Sequence, residues 1–278
     1  MSFVRACLDA KSHSTALLEA AQWAAQRLQA PLSLLHVLEP HPERAPLADY
    51  SGAIGLGAQE ALLGELSELD RRRATLAQEA GRQMLQAAAA RVAAAGQPAP
   101  ELLLRHGELA EVALELQSDT RLFVLGEHAR PRPTHRLHLD QHLERLVRAV
   151  ERPVLVLPGE RFQALVAFDG SPTALRAVQR LAASPLLQGL PLRLVSVGGS
   201  APADLGQAQQ QLEAAGFAVQ AEQHTGEPEQ VLPRLAAEAP QAWLVMGAYG
   251  HSRIRQLVLG SATSTLLRLS TVPVLVLR

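Results

Sequence analysis

The amino-acid sequence contains one pattern twice, and this repeat limits the possible folds more than any other feature. A short apolar segment ends at Asp9 in the first copy and at Asp169 in the second, and a helical pattern follows each, so the two aspartates lie 160 positions apart. The next apolar segments, 32–37 and 192–197, keep the same offset. Each copy is therefore expected to form its own folding unit, which agrees with a length of 278 residues, since domains have roughly 150.

Both copies continue with the same series of elements. A helix-rich stretch is followed by a glycine, an extended segment, a Gly-Glu pair, another helix, an apolar segment that ends in glycine, and a final apolar segment. These features occupy about 59–95, Gly96, Gly107-Glu108, 122–126 and 152–157 in the first copy, and 204–215, Gly216, Gly226-Glu227, 243–247 and 272–277 in the second.

Apolar strands that alternate with amphipathic helices predict a parallel sheet with right-handed crossovers on both faces. The sequence thus predicts an α/β fold of two tandem doubly wound domains, each with a five-stranded parallel sheet and helices on both faces. We place the domains at 1–158 and 160–278, with the boundary in the turn-prone segment 158–160. Because that segment is short, the two domains are expected to pack together.

Composition argues against several classes of partner. Apolar residues make up 47% of the chain and charged residues 19%, which suits packed cores rather than disorder. A net charge of -1 with dispersed arginines disfavours nucleic acid. The chain has no signal-peptide pattern or long apolar run, and its one cysteine, Cys7, cannot form an internal disulfide. We therefore expect a cytoplasmic protein with no membrane partner.

Three features of the second copy follow strands that should end at one edge of the sheet, where open parallel sheets bind ligands. They are Asp169-Gly170-Ser171, the Gly-x-x-Gly segment 247–250, and Gly260-Ser261 at the start of the last helix. The glycines of this pattern are expected to let the backbone approach a ligand and to adopt φ values that side chains forbid. Free amides at a helix start, supplemented by hydroxyl groups, form an anion site.

The composite Gly-x-x-Gly-x9-Gly-Ser pattern, with Asp169 upstream and 272–276 downstream, resembles the nucleotide-binding class of universal stress proteins, which share an adenine nucleotide alpha hydrolase-like fold. The likeness covers nearly all of the second copy and, more weakly, the first. It implies that ATP, ADP or AMP binds in the second copy. It also implies that the final strands of the two copies meet, because these strands would otherwise leave sheet edges unpaired. The residues implied around the adenine and ribose are Ala167, Asp169, Val197, Met246 and Gly247, and those implied at the phosphates are Gly250, Gly260, Ser261, Ala262 and Thr263.

Basic residues within the nine-residue span have two interpretations. His251 and Arg253, with Ser252 and Arg255, could reach the terminal phosphates or could be solvated loop residues. Asp169 could also hold Mg together with the phosphates.

The first copy departs from the phosphate-binding pattern. Gly126 to Ala129 replaces the Gly-x-x-Gly segment, and Leu139-Asp140 stands where Gly260-Ser261 would be. Asp9 is retained, but the carboxylate of Asp140 would repel a phosphate. We predict that the first copy binds no nucleotide.

Two other segments of the first copy have alternative interpretations. His135, His138 and His142 have the spacing of one helix face, which suits a polar surface better than a metal site, because no closed ligand set accompanies them. The segment His41 to Gly57 is either an inert connection or a lid.

Strong catalytic motifs are absent from the sequence. The resemblance implies a stress-response regulatory module that binds an adenine nucleotide, hydrolyses ATP slowly at most, and acts on an unidentified protein partner. The alternatives are a slow ATPase or nucleotidyl-transfer enzyme of the same fold group, and a scaffold with an empty cleft. Whether two chains also form a homodimer is left open.

Overall fold

The structure is a computed structural model, and it describes residues 2–9, 15–39, 56–126, 141–157, 163–198, 203–239, 242–248, 261–270 and 272–277. At 56–64, 141–142 and 261–264 the description covers the backbone only. The expectations for the boundary 158–160 and for 41–55 lie outside these residues, while 56 and 57 already belong to a helix.

The described chain contains ten strands and eight α-helices. The strands are β1 Phe3–Leu8, β2 Leu32–Leu38, β3 Glu101–His106, β4 Thr120–Gly126, β5 Val154–Leu157, β6 Gln163–Ala167, β7 Leu192–Val197, β8 Val219–His224, β9 Ala242–Gly247 and β10 Val274–Leu277. The helices are α1 Thr15–Leu28, α2 Leu56–Ala94, α3 Leu109–Leu116, α4 Gln141–Ala149, α5 Pro172–Ala182, α6 Leu205–Ala214, α7 Pro228–Glu238 and α8 Ser261–Leu269, with 3-10 turns at Gln117–Asp119 and Pro185–Leu187.

The strands form one continuous sheet in the order β3-β2-β1-β4-β5-β10-β9-β6-β7-β8. Each half has five parallel strands in the same order, which confirms the predicted doubly wound α/β fold. The halves join where β5 and β10 pair antiparallel, with Leu155 opposite Leu275. The expectation that the final strands meet is thus confirmed, and the two five-stranded sheets form a single ten-stranded sheet.

The repeat extends to backbone conformation. Gly107 and Gly226 precede α3 and α7, and their φ angles are 126° and 122°. Such values favour glycine strongly, because a Cβ would be strained there. The Gly-Glu pairs therefore mark the same strand-to-helix turn in both halves, as the sequence predicted.

Helices cover both faces of the sheet. On one face α1, α2, α5 and α6 pack over a buried apolar layer, and α3, α4, α7 and α8 cover the other. The indole rings of Trp23 in α1 and Trp243 in β9 lie 5.1 Å apart, so side chains of the two halves touch. Among the described residues, no helix is both long enough and apolar enough to span a membrane.

An arginine anchors the outer strand in each half, buried in the first half and half-buried in the second. Arg5 in β1 is 1% exposed, and its guanidinium donates hydrogen bonds to Glu101 at 3.0 Å and to Asp119 at 2.7 Å. In the second half the arginine stands one strand further out, at Arg193 in β7. It donates two hydrogen bonds of 2.8 Å to the Glu222 carboxylate in β8.

The pairing with Arg193 should make part of the stability pH-dependent. The Arg193 hydrogen bond, with a smaller contribution from His224, outweighs burial and lowers the pKa of Glu222 from 4.5 to about 2. Because the folded pKa is lowered, this stabilisation is complete above pH 4.5 and is lost as the pH falls towards 2.

We expect Glu222→Gln to lower the free energy of unfolding at pH 7 by about 1–2 kcal/mol, because a charge-assisted pair is lost. The difference from wild type should shrink as the pH falls below 4.5, since glutamine does not titrate. Urea unfolding between pH 3 and 7 measures it. A difference that is constant across this range would contradict the assignment.

Candidate functional site

The second half has a topological switch point between β6 and β9. From β6 the chain passes through α5 to β7, which lies on one side of β6, while β9 pairs with its other side. Helix α5 packs on one face of the sheet, and α7 and α8 pack on the opposite face. Clefts at the carboxyl edge of such points are the usual ligand sites of open α/β sheets.

The turn between β6 and α5 holds an exposed carboxylate at this edge. The backbone N–H of Ser171 donates to Oδ1 of Asp169 at 3.0 Å, and the Ser171 hydroxyl oxygen accepts from the N–H of Ala174 at 3.1 Å. Gly170 has a φ of 72° and Pro172 opens the helix, so the turn is closely specified. Asp169 is exposed just beyond β6, where the sequence predicted it.

Gly247 at the end of β9 touches the start of α5. A Cβ on Gly247 would lie 2.9 Å from Cγ2 and 3.2 Å from the carbonyl oxygen of Thr173. Its φ is not in the left-handed region, so the expectation that this glycine is needed for a forbidden φ is wrong. The physical reason for glycine is instead close contact between β9 and the first turn of α5.

Replacement of Gly247 by Ala should lower the free energy of unfolding by about 1–2 kcal/mol, because the added methyl group overlaps Thr173. Thr173→Ser removes the nearest atom, so the double variant should recover part of this loss. Urea unfolding of the four proteins gives the coupling energy. Additive effects of the two changes would contradict the proposed contact.

The neighbouring strand ends supply two more side chains. Val197 ends β7 half-buried, and it lies opposite His224, whose backbone carbonyl accepts a 2.9 Å hydrogen bond from the N–H of Gly198. The His224 Nε2 atom lies 3.1 Å from the Glu222 carboxylate. Sequence analysis missed both residues of this kind, His224 and Thr173. His224 lies at the end of the extended segment predicted before Gly226, and Thr173 lies at the start of the helix predicted after Asp169, so both positions could have been indicated.

The other predicted site residues fall into three groups. Ala167 ends β6 and is half-buried, while the Met246 side chain is buried in the core. Ser261, Ala262 and Thr263 form the first turn of α8, so this helix begins where the motif predicted. Gly250, His251, Ser252, Arg253, Arg255 and Gly260 lie outside the described residues.

The first half can be compared only in part. Asp9 follows β1 and Gly126 ends β4, but Ala129, His135, His138 and Asp140 lie outside the described residues, and His142 is described by its backbone alone. Within the part of the chain that is described, no three His, Cys, Asp or Glu side chains cluster as metal ligands would.

Geometry defines the class of protein: a doubly wound α/β unit used twice in one sheet, with a topological switch point in each unit. Comparison with known proteins agrees. The model of the universal stress protein family matches residues 4–158 and 198–278. The chain is also similar to universal stress protein Slr1230 of Synechocystis. The two are 33% identical over an alignment of 288 positions, which covers 100% of each chain.

A solved structure that covers nearly the whole chain gives the same fold. A universal stress protein from Archaeoglobus fulgidus has a TM-score of 0.71 at 19% identity, over 99% of this chain and 98% of that chain. A universal stress protein in complex with cAMP is 27% identical, covers 43% of this chain and 98% of that chain, and has a TM-score of 0.36. The chain belongs to the universal stress protein family.

Proposed function

We propose that the second half binds ATP, or ADP or AMP, at the carboxyl edge of β6 and β9, with one nucleotide per chain. The observation that carries the proposal is the contact of Gly247 with Thr173. It brings the first glycine of the phosphate motif to the turn that holds Asp169, at the edge where α8 begins with Ser261. We also propose 1–158 and 160–278 as the two domains.

Each part of the proposed site suits one part of the nucleotide. The exposed carboxylate of Asp169 can accept hydrogen bonds from ribose hydroxyls, or can hold Mg beside the phosphates. Val197 and Ala167 offer half-buried apolar surface to the adenine. The first N–H groups of α8 have no acceptor within the helix and favour an anion. The residues available therefore fit an adenine nucleotide.

Calorimetry on the full chain tests the proposal. Titration with ATP, ADP and AMP should give one equivalent, and heating the purified protein should release a nucleotide that mass spectrometry identifies. ATP at about 100 times its Kd should stabilise the fold by about 2.7 kcal/mol. No heat of binding and no thermal shift at millimolar ATP would favour the scaffold alternative.

In this proposal the bound nucleotide acts as a signal, and a partner protein reads the surface that changes when the cleft is filled. Steady-state phosphate release separates this role from that of an ATPase. We expect release well below about one per second, the lower end of ordinary enzyme turnover. Faster release would instead support the enzyme alternative.

A further inference from the structure

A cavity lies where the two halves meet, and its volume is about 720 Å³. We call it the junction cavity, and its lining includes Arg121, Arg152, Arg180 and Ser184. The first half supplies the segments before β2 and β5 and the start of β4, and the second half supplies the end of α5 and part of β10. Neither Asp169 nor Gly247 lines it, so it is separate from the proposed nucleotide site.

The charge of the junction cavity has one sign. Three arginine side chains line it, and no Asp or Glu does. The guanidinium of Arg121 donates to the carbonyl of Leu28 at 2.8 Å, and that of Arg152 to the carbonyl of Gln117 at 2.8 Å. Arg180 reaches the carbonyl of Glu151 at 3.5 Å. Within the described part of the chain, none of these three guanidinium groups pairs with a carboxylate.

Several other arginines of the described chain behave differently. Arg5, Arg145 and Arg193, for example, each form an ion pair with a carboxylate. A backbone carbonyl carries only a partial charge, so it does not neutralise a guanidinium, and each arginine has five N–H donors. Three guanidinium groups that have no carboxylate partner among the described residues therefore favour an anion in this cavity, and arginine binds both carboxylate and phosphate in a bidentate manner.

The junction cavity also has apolar lining. Ala30, Pro31 and Pro153 of the first half and Ala183 of the second are exposed or half-buried there, and buried leucines such as Leu122 and Leu275 lie beneath them. Its volume is within the range of about 300–1,000 Å³ that is typical of small-molecule sites. A small inorganic anion would leave this apolar surface in contact with water.

We infer that the junction cavity binds a small organic anion. Its carboxylate or phosphate contacts Arg121, Arg152 and Arg180, and its apolar body lies against the exposed and half-buried apolar residues of both halves. Because the lining comes from both halves, the ligand holds β5 and β10 together and stabilises the junction.

Four probes test this inference on the full chain, with ATP present in excess. They differ from one another in head group, charge or alkyl chain. They are octanoate, octyl phosphate, octanol and inorganic phosphate. We expect one equivalent of octanoate or octyl phosphate to bind by calorimetry, and octanol and inorganic phosphate to bind at least tenfold more weakly. The tighter of the two anions identifies the head group. Octanol binding as tightly as both anions, or no binding of either anion at millimolar concentration, would overturn the inference.

A matched pair of variants locates the site. Arg121→Gln with Arg180→Gln should weaken binding of the anion at least tenfold, whereas Arg71→Gln with Arg82→Gln changes the net charge equally on exposed α2 and should leave it unaltered. If the first double variant is unstable, Arg180→Met alone removes one charge and should still weaken binding. Equal affinity in all variants would exclude the junction cavity.

ATP titration of the same variants separates the two proposals. Loss of organic anion binding with unchanged ATP binding supports the junction cavity alone. An anion that competes with ATP would instead place it in the β6–β9 cleft and overturn the inference.

Discussion

Substitution of Ser261 by Asp is expected to abolish ATP binding without weakening the fold. Ser261 is the first residue of α8, where the backbone N–H groups have no acceptor within the helix. A carboxylate about 4 Å from a phosphate charge costs about 4 kcal/mol at the effective dielectric of a protein surface. Since about 1.4 kcal/mol changes an affinity tenfold, the Kd for ATP should rise by roughly three orders of magnitude.

The same substitution should leave the folded protein as stable as wild type or make it more stable. A negative side chain in the first turn of a helix is favourable to the helix dipole, by about 0.3–1 kcal/mol. We therefore expect the melting temperature of the ligand-free Ser261→Asp protein to equal or exceed that of wild type. Loss of binding together with a stable fold separates loss of a phosphate site from unfolding.

Ser261→Asn is the matched control, because it has nearly the size of aspartate and no charge. It should bind ATP within about tenfold of wild type, as expected for the loss of one neutral hydrogen bond of about 1 kcal/mol. Calorimetry on the three proteins makes the comparison. If Ser261→Asp binds ATP as wild type does, the phosphates lie elsewhere, and the proposal for this cleft is wrong.

The regular part of the fold could be predicted from the sequence, because it depends on local patterns. Continuous apolar segments predicted where the strands lie along the chain. The corresponding glycines Gly107 and Gly226 predicted the turns before α3 and α7. The junction of β5 with β10 was expected from the family resemblance, and their antiparallel pairing confirms it.

Contacts between distant residues could not be predicted in this way. Arg5 meets residues 28 to 115 positions away, and no periodicity indicates which carboxylate it pairs with. Gly247 was recognised as a site residue, but its close contact with Thr173 depends on how α5 packs against β9. The junction cavity is formed by segments from both halves, so it exists only once the ten-stranded sheet has formed.

Removal of the Arg5 side chain is expected to cause a large loss of stability. Its guanidinium donates to Thr120, Ser33, Glu101 and Asp119 at distances between 2.7 and 3.0 Å. It thereby ties together β1, β2, β3 and β4. Arg5→Leu should lower the free energy of unfolding by about 2–4 kcal/mol, because several charge-assisted hydrogen bonds are lost at once.

The partners decide where in this range the loss falls. The side chains of Glu101 and Asp119 are 38% and 46% exposed, so water can solvate their carboxylates after the arginine is removed. Ser33 is fully buried, and its hydroxyl would lose the partner that Arg5 provides. The main cost is therefore expected at Ser33, because an unsatisfied buried polar group costs about 1–3 kcal/mol.

A second substitution at Ser33 tests this division of the cost. Leucine itself suits the strand position, because Leu165 in β6 is the second-half counterpart of Arg5. The counterpart of Ser33 is Arg193 in β7, which lies opposite Leu165. Arg5→Leu with Ser33→Ala should therefore recover about 1 kcal/mol or more relative to Arg5→Leu alone in urea unfolding, because the orphaned hydroxyl is removed. If the double variant is no more stable than the single one, the loss comes from the exposed carboxylates, and Arg5 then acts mainly by attaching β3 and the segment before β4 to the centre of the sheet.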